Sequence, residues 1–168
     1  MTVVARYLIG VLCACALLVA CSESDDTVAI KTLLETGVKA AEQKSIDDLM
    51  DLTTEDFVAM PGRRDESMVR KILFAAFLRY GKFTIHYPSP RIEIADNGVH
   101  AVVAFPFVIV RQDHDLPELS GLYDDPQGWM EAVGEKADLY QLNLRLRKQD
   151  GDWLVTQVEL HGYHRSVF

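Results

Sequence analysis

The stretch ADLYQLNLRLRKQDGDWLVTQVEL, residues 137–160, settles the fold class. Tyr140, Leu142, Leu144 and Leu146 alternate with Gln141, Asn143, Arg145 and Arg147, the period-two pattern of a strand with one buried face. Asp150-Gly151 offers what a two-residue hairpin turn demands, residues that tolerate a positive φ. Trp153 to Leu160 then returns as the partner strand. A lone hairpin is only marginally stable in water, so its apolar face must pack against further strands or helices.

Those further elements stand upstream. Val99 to Val110 is the most apolar strand of the chain, covered on both faces by its pattern and therefore expected to be central. Pro106 inside it predicts a bulge. Asp96-Asn97-Gly98 turns back to a strand from Arg91 to Ala95. Phe83, Ile85 and Tyr87 form an earlier strand, which Pro88 and Pro90 interrupt at a bulge or an edge. Before residue 83 the period becomes helical. Val69, Ile72, Leu73, Ala76, Phe77 and Tyr80 form one stripe, with Asp65 or Ser67 opening the helix and Gly81 placed for a left-handed cap. Further back come a short strand, Phe57 to Met60, ended by Pro61-Gly62, and a short helix capped by Ser45 through Ile46, Leu49 and Met50. The first helix runs from Thr27 to Gln43 with Ile30, Leu33, Leu34, Val38 and Ala41 on one face, and Asp25 or Asp26 is placed to cap it. Helices followed by hairpins make an α+β domain, N-terminal helices packed on a curved antiparallel sheet.

This order resembles the nuclear transport factor 2-like superfamily, the cystatin-like cone of ketosteroid isomerase, polyketide cyclases and scytalone dehydratase. The likeness rests on the long and short leading helices, the Phe57 strand, the Pro61-Gly62-Arg63 turn into the Val69–Tyr80 helix, and the closing Asp150-Gly151-Asp152-Trp153 hairpin. It spans about residues 27–162 and implies a carboxylate inside the cone, supported by Tyr or His, with its pKa raised by apolar surroundings. On that resemblance Asp56, which follows the second helix, matches the catalytic base, His161 is its candidate support, and Tyr80 and Tyr140 line the pocket. The plainer readings are turn chemistry or a cap for Asp56, core positions for the two tyrosines, and a surface strand end for His161. A cavity holding a desolvated Asp56 would mark an enzyme. A cone filled by Phe83, Phe105, Phe107 and Trp153 would mark a structural accessory protein. The resemblance also implies a homodimer through the sheet. An insertion, Gln112 to Glu135, departs from the pattern; Trp129 and Met130 could pack a short helix there, Gln127 to Val133, as a lid over the mouth.

The N-terminus gives a location. Arg6 and the apolar run Tyr7 to Ala20 form a signal peptide, shorter than the roughly 20 residues a permanent spanning helix needs. Leu18-Val19-Ala20-Cys21 resembles a bacterial lipobox. The resemblance implies cleavage before Cys21, a diacylglycerol thioether and an N-acyl group on Cys21, and a tether of residues 21–26 leading into a single domain, 27–168. Several acyl chains are needed because one alone gives only reversible binding. The expected site is the bacterial cell envelope, and Ser22 favours the outer membrane, facing the periplasm, in a Gram-negative host.

Composition narrows the partners. The chain has 168 residues and a net charge of −8, which becomes −9 once residues 1–20 and Arg6 are removed. An acidic balance argues against nucleic acid and anionic lipid as partners and leaves the lipid on Cys21 as the membrane contact. Cys13 and Cys15 leave with the signal and Cys21 is blocked, so neither a disulfide nor a cysteine nucleophile is expected. No metal is expected: His161-x-x-His164 sets two histidines on opposite faces of a strand, and the insertion's Asp113-x-Asp115 lacks the rest of a calcium loop. No cofactor is expected, since no P-loop, G-x-G-x-x-G or G-x-S-x-G occurs. A small apolar ligand or an interaction partner remains.

Overall fold

The computed structural model describes residues 22–111, 121, 124–125, 128–129 and 138–162. The expected signal peptide, Cys21, most of the insertion and the tail that holds His164 lie outside the described residues. None of the described helices is long and apolar enough to cross a membrane.

The element order is α1 (Ser22–Glu42), α2 (Ile46–Met50), β1 (Thr53–Met60), α3 (Glu66–Tyr80), β2 (Phe83–His86), β3 (Arg91–Ile94), β4 (His100–Arg111), β5 (Asp138–Gln149) and β6 (Asp152–Gly162). The strands form one sheet in the order β1-β6-β5-β4-β2, with β3 also on β4. All pairings are antiparallel except β1 with β6, which is parallel. The β5–β6 hairpin closes as its sequence demands, with Asp150 at φ 52° and Gly151 at φ 99°.

β4 is central, between β5 and the β2/β3 edge. The expected bulge at Pro106 is absent: β4 and β5 stay in register from His100↔Arg147 to Ile109↔Asp138. Pro106 instead lies between the residues of β4 that pair with β2 (108–111) and those that pair with β3 (101–104). The strand alternation turns its missing N–H toward that break, where no ladder bond is lost.

One face of the sheet carries the larger core cluster, while Val108 and Val110 of β4, 1% and 3% exposed, are buried on the other. On the first face Ala101, Val103, Phe105, Phe107, Leu144, Leu146 and Trp153 cluster with Ile30 and Leu34 of α1. A second cluster joins Met50, Phe57 and Val69, so α2 and α3 close the same side. Asp65 caps α3 by accepting from the Met68 N–H at 2.9 Å. Gly81 ends it at φ 64°, ψ −129°, a glycine region outside the left-handed helical well expected for the cap. The buried side of α3 is Val69 and Phe77, flanked by the half-buried Leu73, Ala76 and Tyr80; Ile72, expected inside, is 45% exposed.

Two N-terminal expectations change. α1 starts at Ser22, so residues 22–26 are helix and not a tether. Asp26 is no cap. Its Oδ1 accepts from Lys148 Nζ at 2.5 Å and from Trp153 Nε1 at 3.0 Å, which pins the first turns of α1 to the β5–β6 hairpin. β1 also begins early, at Thr53, because its first half runs along β6 through a register shift before Val58.

Candidate functional site

Asp56 lies outside the cone. Its neighbour Phe57 is 6% exposed and packs inward, so strand alternation turns Asp56 to the opposite face. There its carboxylate takes a bidentate pair from Arg147, at 2.7 and 3.2 Å. That guanidinium holds the carboxyl below the usual carboxylate range. A proton-abstracting base in an apolar pocket needs the reverse shift. His161 also sits on the outer face, opposite Gln141, with Nε2 3.2 Å from the Glu159 carboxylate. Neither residue meets the other candidates.

Tyr80 and Tyr140 do come together. Tyr80 ends α3 and Tyr140 begins β5 on the inner face, and their hydroxyl oxygens are 2.6 Å apart. Phe83 packs edge-on to Tyr80 and stacks on Phe77, while Phe107 stacks on Tyr140. Burial first, then interactions with Tyr140 and Asp138, pushes the Tyr80 phenol well above its usual range, so it keeps its proton. Asp138 is the member of this group that sequence reasoning missed. Its position two residues before Tyr140 on the inner-facing register of β5 was the available signal. Either hydroxyl can donate in the Tyr80–Tyr140 bond, so the pair keeps one phenolic proton and oxygen lone pairs to offer.

The aromatic side chains around this group are buried. Phe83, Phe105, Phe107 and Trp153 are 5%, 4%, 9% and 4% exposed, and the last three cluster with Ile30 and Leu34. Two open clefts lie elsewhere. One of about 300 Å³ runs between Lys31 and Glu35 of α1 and the 85–90 segment. The other, about 400 Å³, lies beside Glu93, His100 and Arg145. Neither touches Asp56, Tyr80 or Tyr140.

In the insertion Trp129 is helical and 5% exposed, while Met130 lies outside the described residues. Asp125 of the insertion accepts from the Gly128 N–H at 3.1 Å and so caps that turn. Among the described residues no three His, Cys, Asp or Glu side chains gather as metal ligands would.

No family model matches the chain, and no curated protein matches its sequence. Solved structures do match. A protein of unknown function with a cystatin-like fold from Nostoc punctiforme aligns at TM-score 0.62 and 10% identity, over 84% of this chain and 92% of that one. A hexachlorocyclohexane dehydrochlorinase from Novosphingobium barchaimii aligns at 0.61 and 10%, over 85% and 90%. A ketosteroid isomerase-like protein from Erwinia carotovora aligns at 0.56 and 15%, over 82% and 95%. At such identities the likeness is one of fold: an α+β cone of the cystatin-like, nuclear transport factor 2-like kind.

Proposed function

We propose that this protein is a lipid-anchored component of the bacterial envelope, held by Cys21, whose cone domain works as a non-catalytic interaction module. The observation that carries the reading is the inner face of the sheet: Phe105, Phe107 and Trp153 cluster there with Ile30 and Leu34 of α1, and no described carboxylate of the expected site points among them. The acid expected to do proton chemistry is paired with Arg147 on the outer face. The leader with its Leu18-Val19-Ala20-Cys21 ending supports the anchor.

The test is a proton-transfer assay with β,γ-unsaturated cyclic ketones, run on the unsubstituted chain and on Asp56→Asn. A non-catalytic module gives the same background rate for both. Turnover that disappears with Asp56→Asn would overturn the reading.

The tyrosine pair supports a second reading, in which the mouth holds a small ligand. Two phenol hydroxyls 2.6 Å apart, able between them to donate and to accept, fit a neutral hydroxyl on a compact apolar body. Titration with 2-naphthol tests it: binding that Tyr140→Phe weakens favours this reading, and the absence of saturable binding removes it.

A further inference from the structure

The net charge of the chain conceals an uneven distribution. Residues 63–82 carry six basic and two acidic side chains, +4 within a protein of −8. The exposed side of α3 lies in this segment. Met68, Ile72, Phe74 and Leu78 are 46%, 45%, 60% and 70% exposed, half of the large apolar side chains left in water among the described residues. At 100° per residue, Met68, Ile72 and Arg79 fall along one line, and Phe74 and Leu78 along a second, with Lys71 between the two. Arg70 is taken up by Asp47 and Glu66. Lys71, Arg79 and Lys82 stand in no salt bridge among the described residues; Arg79 only overhangs the Tyr80 ring, 5.9 Å from its centroid.

We propose that the outer face of α3 docks on an anionic lipid surface. Charge complementarity selects the partner: this face is apolar and basic on a molecule that is acidic elsewhere. Its shape favours lipid over protein. Phe74 and Leu78 project from a convex helix, and a protein partner would need a groove to receive them, whereas a bilayer interface yields around them. The position of the anchor adds a second argument. α1 starts immediately after Cys21, with no flexible spacer, and α1 and α3 cover the same side of the sheet. Both therefore lie on the helix-covered side of the sheet, and the proposal sets that side against the membrane with the Asp56–Arg147 face outward.

Two buried tryptophans make the test clean, since Trp129 and Trp153 are 5% and 4% exposed and out of reach of lipid. The full chain with Leu78→Trp is bound to vesicles of brominated phosphatidylglycerol or of brominated phosphatidylcholine. Emission of the added tryptophan should fall about twofold on the anionic vesicles alone, and the loss should vanish when Lys71→Glu and Arg79→Glu are added. Equal quenching on both lipids, or none on either, would overturn the proposal. So would emission that shifts with protein density but not with bromine, the mark of a second copy on the face. The proposal rests on the anchor reading only for nearness to a membrane. Acylation of Cys21 is read by mass on the same sample, so the two can fail separately.

Discussion

Replacing Asp26 with Ala tests how the N-terminal helix is held. One carboxylate oxygen serves two donors, Lys148 Nζ and Trp153 Nε1. The side chains of Asp26 and Lys148 are 16% and 32% exposed, and Trp153 is 4% exposed. After Asp26→Ala the lysine can turn to water, so loss of the ion pair costs little. The indole N–H cannot, and an unpaired buried donor costs about 1–3 kcal/mol. Together with the lost charge-assisted bond the expected loss is about 2–3 kcal/mol. For a domain of this size that lowers the Tm by roughly 4–12 °C. Asp26→Asn keeps an acceptor for Trp153 and should lose about half as much. Both donors also hold the Asp26 carboxyl below its usual 3.8, the Lys148 bond most strongly. A depressed carboxyl stabilises the folded state above its unfolded pKa, so this contribution is present above pH 3.8 and is lost as the pH falls through the lower folded value. Thermal melts followed by tryptophan emission, from pH 7 down to pH 3, provide the assay. A melting point for Asp26→Ala within about 1 °C of the unsubstituted chain would refute the docking of α1 and restore a free tether.

Three other outcomes follow from the same geometry. Tyr140→Phe removes the 2.6 Å hydroxyl contact between two partly buried phenols, so urea unfolding should show a loss of about 1 kcal/mol. Gly81→Ala puts a Cβ at φ 64°, ψ −129°, and the same measurement should show a loss of roughly 1–3 kcal/mol. Burial holds His86 below its usual 6.5, against the pull of Glu42, so the unfolded chain takes up that proton first. Stability should therefore decline as the pH drops through 6.5 toward the folded value, and His86→Gln should flatten that part of a stability–pH profile.

The parts of the fold set by local periodicity were legible. The hairpins, α3 and the Ser45 cap, whose side chain accepts from Asp48 N, follow from spacing and turn chemistry within a few residues. Features that depend on distant partners were not. Ser22 to Asp26 reads as a polar leader because nothing nearby announces that Asp26 will meet side chains 122 and 127 residues away. Pro106 reads as a bulge because the break between β2 and β3 that accommodates it is a property of the sheet. At the candidate site the tyrosines could be placed because a helical stripe and a strand alternation each fix a face. Asp56 could not, since a register shift in β1 decides which of two adjacent residues, Asp56 or Phe57, points inward.

The claim on which the rest depends is that a lipid at Cys21 tethers a domain that acts through its surface. Its most direct test is the intact mass of the protein extracted from native membranes. The account predicts a chain that begins at Cys21 and carries the added mass of a diacylglycerol thioether and an N-acyl group. A chain that keeps residues 1–20, or one with an unmodified Cys21 sulfur, would contradict it.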